Sequence, residues 1–187
     1  MGNKKIVIGI AGNIGSGKGT VTKYLMEKYG AKQMRYSKIL ADILERLYLE
    51  YNRENLNTIA EGLRDMFGKD ILSKVLEKDI QGEEAAIVVF DGIRKKEELD
   101  YFKNKIGDFY FVFVDVPFEI VAERIIKRQE KTDDQEQTVE TLKARQQQAS
   151  DKDVPGLKQY ADFVIDNSGS LEETYRQIDE MMSRIEN

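Results

Sequence analysis

The chain has 187 residues, the size of one domain, since domains run to roughly 100–200 residues each. Its 41% hydrophobic content supplies a core and excludes intrinsic disorder, while 29 Lys and Arg against 34 Asp and Glu give a net charge of −5 that offers no general grip on nucleic acid. It has no Cys and no His, which removes disulfides, thiolate or imidazole metal sites, Cys nucleophiles and His acid–base chemistry.

In chain order, strands are expected at 5–11, 32–36, 86–91, 109–116 and 162–166. Three of them are near-continuous apolar runs, the signature of parallel strands covered on both faces. Helical periodicity falls at 17–28, 38–51, 54–66, 69–81, 95–105, 118–129 and 136–149. A last helix is expected at 171–185, opened by Ser170 with Glu173 three residues on, a capping box. Strand–helix alternation from end to end implies an α/β layered fold in one domain. The gap of about fifty residues between the second and third strands is helical throughout, although a crossover needs only one helix. The stretch 127–148, with six Gln, is strongly polar. The longest apolar runs, Ala85–Phe90 and Phe109–Val114, are far short of the ~20 residues that span a membrane. The start has no signal-peptide core, and Ile6 stands where a myristoylation motif has Ser or Thr. A soluble cytoplasmic protein with no membrane or nucleic-acid partner is expected.

The strongest chemical signal is Gly12-Asn13-Ile14-Gly15-Ser16-Gly17-Lys18-Gly19-Thr20, set between the first strand and the first helix. Glycines let the backbone curl so that successive N–H groups face one anion, and the helix N-terminus reinforces them. Lys18 is expected to reach the β- and γ-phosphates. Gly19 stands where the strict phosphate-loop pattern has Ser or Thr, and Thr20 follows it.

This loop resembles that of adenylate kinase and the other nucleoside monophosphate kinases. Val88-Val89-Phe90-Asp91-Gly92-Ile93-Arg94 is similar to their apolar strand ending in Asp-Gly with an arginine close behind. Val116-Pro117 followed by Arg124 and Arg128 is similar to their fourth-strand exit, and Thr132-Asp133-Asp134 with Arg145 beyond is similar to their lid. Dephospho-coenzyme A kinases and related archaeal proteins share the Asp-Gly-x-Arg turn followed by acidic residues, here Glu97 and Glu98, and an ending like Ala161-Asp162…Asn167…Gly169-Ser170-Leu171-Glu172-Glu173. Deoxynucleoside monophosphate kinases carry a pattern like Leu63-Arg64…Phe67-Gly68-Lys69-Asp70.

The resemblance implies a P-loop NTPase fold, a five-stranded parallel sheet in order 2-3-1-4-5 with helices on both faces. It implies a helical acceptor-binding region at about 37–82 and a small lid at about 127–148. ATP is expected on Gly12, Asn13, Gly15, Ser16, Gly17, Lys18, Gly19, Thr20, Arg124 and Arg128. Lys18, Asp91, Arg94 and Arg128 are the expected catalytic set, and Asp91 with Thr20 the expected Mg²⁺ set. Ser37, Arg64, Arg94 and Arg145 are expected at the acceptor. The family's arginine six residues after Ser37 is Ile43 here, and Lys38, Arg35, Arg46 and Arg64 are the cations available to replace it; Arg64 is the choice.

The function so implied is ATP-dependent phosphoryl transfer to a small phosphorylated acceptor, a nucleoside or deoxynucleoside monophosphate, by a monomer. The alternative is a dephospho-coenzyme A kinase. A nucleotide-binding switch or regulatory ATPase is the competing class. Its guanine-specific Asn-Lys-x-Asp motif is not matched, because the run Asn104 to Asp108 has its Asp one place late.

Overall fold

The computed structural model describes residues 5–129, 140 and 152–186, with the backbone alone at 125–129. Five strands, β1 (Ile6–Ala11), β2 (Lys32–Arg35), β3 (Ile87–Asp91), β4 (Phe109–Asp115) and β5 (Phe163–Asp166), form one sheet in the order β2-β3-β1-β4-β5. Every neighbouring pair is parallel. The expected order 2-3-1-4-5 therefore holds. The helices are α1 (Lys18–Tyr29), α2 (Tyr36–Arg46), α3 (Arg53–Phe67), α4 (Ile71–Gly82), α5 (Lys96–Lys105), α6 (Phe118–Gln129) and α7 (Leu171–Glu186).

All six residues of β1 are buried, because it is the central strand and is covered on both faces. Alternation along it sends Ile6, Ile8 and Ile10 to one side, against Val21 and Leu25 of α1 and Ile178, Met181, Met182 and Ile185 of α7. Val7 and Ala11 go to the other side, into an aromatic layer of Phe90, Phe102, Phe111 and Phe113. Each of these Val, Leu, Ile, Met and Phe side chains contributes about 1.5–3 kcal/mol on burial. A separate small core, Leu40, Ala60 and Leu72 with Ile39, Leu56 and Leu63 packed on it, binds α2, α3 and α4 together. These three helices fill the long gap between β2 and β3.

Two local expectations need correction. The helix expected at 38–51 begins at Tyr36, directly off β2, and ends at Arg46. Tyr48 adopts a left-handed φ of 56°, and the Leu49 and Tyr48 N–H groups close onto the carbonyls of Leu44 and Glu45, a Schellman ending. No Gly or Asn marks that stop, and the next helix is capped by Asn52, whose Oδ1 accepts the Asn55 N–H at 2.9 Å. A 3₁₀ helix at Val154–Tyr160, not expected, buries Val154 and Leu157 in the aromatic layer and leads into β5. The helix expected at 136–149 falls outside the described residues apart from the helical Glu140. Among the described residues no helix is long and apolar enough to cross a membrane.

Candidate active site

The glycine loop leaves the buried end of β1 at the carboxyl edge of the sheet and runs into α1. Gly12, Gly15 and Gly17 have φ of 154°, 80° and 92°, and this left-handed curl turns an extended strand into a helix within six residues. Gly17 is the N-cap of α1 and offers no side chain, so the first turn of that helix receives no side-chain cap. An anion can take that place. Among the described residues the N–H groups of Gly15, Gly17 and Gly19 have no backbone acceptor. The Lys18 ammonium folds back over the loop and donates to the carbonyls of Gly12 at 2.7 Å and Asn13 at 3.1 Å. Ser16 is fully buried, whereas Thr20 is half-buried on the first turn of α1 and Gly19 is exposed.

Beside the loop, β3 ends on Asp91, which pairs in register with Ile10 of β1 and with Arg35 of β2. The Gly92 N–H bonds the Ile10 carbonyl at 3.4 Å, which ties the Asp-Gly turn to the base of the loop. Asp91 is half-buried and Arg94 exposed. The Arg94 backbone N–H donates to the Glu98 carboxylate at 3.0 Å, and the same carboxylate lies 3.7 Å from the Arg64 guanidinium. Arg64 of α3 and Arg94 therefore meet through one carboxylate, a link that sequence reasoning missed. In the sequence Glu98 stands out only as one of two acidic residues after the turn. Tyr36 completes this wall. Its hydroxyl shares a 3.1 Å hydrogen bond with Ser73, and burial pushes its pKa well above the usual tyrosine range. Ser37 sits next to it, half-buried in the first turn of α2.

On the opposite side of the loop, the turn between β5 and α7 approaches. Asn167 is buried and donates its amide to the Ser16 carbonyl at 2.8 Å. Arg124 of α6 donates to the carbonyls of Gly169 at 3.1 Å and Ser168 at 3.4 Å. The expected capping box is present: the Ser170 N–H bonds Glu173 at 2.7 Å and the Glu173 N–H bonds Ser170 Oγ at 3.2 Å. The Ser170 N–H first, and then the Ser170 hydroxyl at 3.1 Å, donate to the Glu173 carboxylate and hold it below its usual pKa.

The structure thus gathers the loop residues Gly12 to Thr20, Asp91 and Arg94 at one edge of the sheet, with Arg64 and Ser37 on the helical side and Arg124 on the other. The Arg128 side chain, Arg145, Asp133 and Asp134 lie outside the described residues, as does most of the lid expected at 127–148. The donors expected for Mg²⁺, the Asp91 carboxylate and the Thr20 hydroxyl, are both half-buried. Mg²⁺ ordinarily takes one or two carboxylates together with phosphate oxygens and waters, so the residues fit that ion beside a bound nucleotide.

A family model described as an AAA domain matches residues 11–143. A UPF0200 protein of Sulfurisphaera tokodaii is 35% identical over 180 residues, 96% of this chain and 97% of that protein. Among solved structures, a gluconokinase from Sinorhizobium meliloti is similar with a TM-score of 0.62 at 16% identity, covering 98% of this chain and 94% of that one. A shikimate kinase from Bacteroides thetaiotaomicron gives 0.58 at 16% identity, covering 97% and 99%. At such identities these two structures speak to the fold alone, the P-loop NTPase fold. The match over most of its length to the AAA domain, and over nearly all of it to a UPF0200 protein, means that the chain belongs to both families.

Proposed function

We propose that the protein is an ATP-dependent phosphotransferase whose acceptor is a small phosphorylated molecule, first a nucleoside or deoxynucleoside monophosphate. The observation that carries this reading is the uncapped glycine loop with Lys18 folded over it, one strand away from Asp91 and the Arg94 turn. The chain acts as a single domain. Its region at 37–82 receives the acceptor and its segment at 127–148 closes over the ATP phosphates, with Arg128 and Arg145 supplying positive charge. It works as a monomer.

In this reading the loop N–H groups and Lys18 hold the β- and γ-phosphates. Arg94, with a planar fork that grips two oxygens, bridges the acceptor and the transferring group. Arg124 lies against the adenine, and Ser37 and Arg64 hold the acceptor phosphate. The bond from the γ-phosphorus to the β–γ bridging oxygen breaks, a bond from that phosphorus to an acceptor oxygen forms, and ADP departs. Asp91 and Thr20 would hold Mg²⁺, which supplies neutralisation of the charge on the phosphate oxygens. A monophosphate at neutral pH already presents a deprotonated oxygen, so transfer needs positioning and charge neutralisation rather than a base. A chain without His suffices.

A second reading, a dephospho-coenzyme A kinase, is favoured by Ile43 in place of an acceptor arginine and by Asn167 in the late Ala-Asp…Asn…Gly-Ser pattern. A hydroxyl acceptor must lose a proton, and Asp91 or Glu98 would be the carboxylate that takes it. Coupled ATP turnover with each nucleoside and deoxynucleoside monophosphate and with dephospho-coenzyme A separates the two readings. ATP hydrolysis at the same rate with and without every acceptor would instead make the protein a regulatory ATPase.

A further inference from the structure

We propose that Asn167, in the turn between β5 and α7, is a positioning residue of the phosphate loop. It fixes the Ser16–Gly17 peptide so that the Gly17 N–H is presented to a bound polyphosphate. The inference rests on the phosphate-loop reading above and deepens it, because it names what holds the loop in shape from outside.

Four observations carry it. The Asn167 amide donates from Nδ2 to the Ser16 carbonyl at 2.8 Å across 151 residues of sequence. Its Oδ1 accepts the Thr174 hydroxyl at 2.9 Å, and because the Ser16 carbonyl can only accept, the amide faces one way: donor to the loop, acceptor to α7. The Asn167 backbone N–H is itself bound to the Asp115 carbonyl at 2.8 Å, which anchors the residue to the end of β4. Only 5% of Asn167 is exposed, so water does not compete for these bonds.

Peptide geometry supplies the rest. In a trans peptide the C=O and the following N–H point in opposite directions. A Ser16 carbonyl turned toward Asn167 therefore turns the Gly17 N–H away from it, and that N–H has no backbone acceptor among the described residues. The Ser16 hydroxyl does not share the task, being buried without a partner among the described residues. Gly17 and Asn167 are matched in shape as well. A Cβ at Gly17 would stand 2.1 Å from Asn167 Nδ2, so the amide lies where any other residue would put its side chain.

The test measures ADP affinity by calorimetry with Mg²⁺ present, alongside adenosine affinity and thermal stability. It compares the whole protein with Asn167→Ala, Asn167→Asp, Thr174→Val and Thr174→Ser. Asn167→Ala and Asn167→Asp are expected to weaken ADP binding about tenfold, the worth of one buried hydrogen bond, and to leave adenosine binding unchanged. Asp in particular sets a carboxylate against the Ser16 carbonyl. Thr174→Val, which removes the partner of Oδ1 and leaves the amide held by the Ser16 bond alone, is expected to weaken ADP binding about threefold, and Thr174→Ser to restore it. Unchanged ADP affinity in both Asn167 variants, with only the melting temperature lowered, would make Asn167 a brace for α7 and overturn the inference. Should the Asn167 variants not fold, the Thr174 pair decides: loss in Val with rescue in Ser supports the proposal, and equality of both with the native protein overturns it. Failure of the native protein to bind ADP would overturn the phosphate-loop reading itself, and this inference with it.

Discussion

The Glu98 carboxylate lies 3.7 Å from the Arg64 guanidinium and so joins α5 to α3 across the mouth of the helical region. Its other oxygen accepts the Arg94 N–H at 3.0 Å, and only 14% of the Glu98 side chain is exposed. A carboxylate this shielded orients its partner more strongly than a surface ion pair, where water and salt compete. Glu98→Gln keeps an oxygen for the Arg94 N–H and removes the charge that aims Arg64. The acceptor KM is expected to rise about tenfold while kcat changes less, the pattern of lost uniform binding. Glu98→Ala also releases the Arg94 turn and should lower kcat. Steady-state kinetics on the acceptor identified by turnover screening checks both, and an unmoved acceptor KM would take Arg64 out of the acceptor site.

The Lys18 ammonium bonds the loop carbonyls of Gly12 and Asn13 and is no part of the apolar core. Lys18→Ala should therefore leave the melting temperature within a few degrees of the native value. Phosphoryl transfer should fall by about 10²–10³-fold, the usual cost of removing one group that stabilises developing charge. Near-normal turnover in this variant would remove the phosphate-loop assignment.

The loop glycines divide by what surrounds them. At Gly17, with φ of 92° and Asn167 2.1 Å from a would-be Cβ, Ala combines backbone strain with a clash and should cost about 1–3 kcal/mol or more. At Gly19, where a Cβ would meet nothing within 4 Å, Ala should be neutral or stabilise by up to about 1 kcal/mol. Urea midpoints of the two variants measure the contrast. Equal destabilisation would mean that the loop is held by something other than this packing.

Asp179 of α7 draws α1 to itself, accepting the Tyr29 hydroxyl at 2.7 Å, the Lys28 ammonium at 2.8 Å and the Tyr24 hydroxyl at 3.1 Å. Burial pushes the Asp179 carboxyl up, but the bonds from Lys28, Tyr29 and Tyr24 outweigh it and hold the pKa below the usual value. A depressed acid contributes stability above its unfolded value of about 3.9, and loses it as pH falls through the folded one. Burial first, and then the bond to Asp179, raise Tyr29 to about 12, so its contribution is complete below the unfolded value of about 10 and is lost as pH rises through the folded one. The melting temperature of Asp179→Asn should therefore lie about 2–4 °C below the native value across neutral pH, with the gap closing at both extremes. Scanning calorimetry across pH tests this, and a gap independent of pH would assign the loss to packing alone.

Patterns that are local in the chain can be read from the residues themselves. The apolar runs at Ile6–Ala11 and Phe109–Val114 form parallel strands covered on both faces, the first buried at every residue and the second at all but Tyr110. The capping box of Ser170 and Glu173 and the curl from Gly12 to Gly17 depend on dihedral limits and neighbours within a few residues, so they too are legible in the sequence. The end of α2 at Arg46 is not, because Tyr48 enters the left-handed region without being Gly or Asn. Nor is the hold of Asn167 on Ser16 or of Glu98 on Arg64. Asn, Ser, Glu and Arg are common surface residues, and nothing in their spacing marks a pair. Such pairs exist only after the crossovers of the sheet bring the β5–α7 turn to the loop and α5 to α3. Once there, exclusion of water makes an unpaired partner costly, so the tertiary structure rather than the local sequence decides which polar groups hold the site.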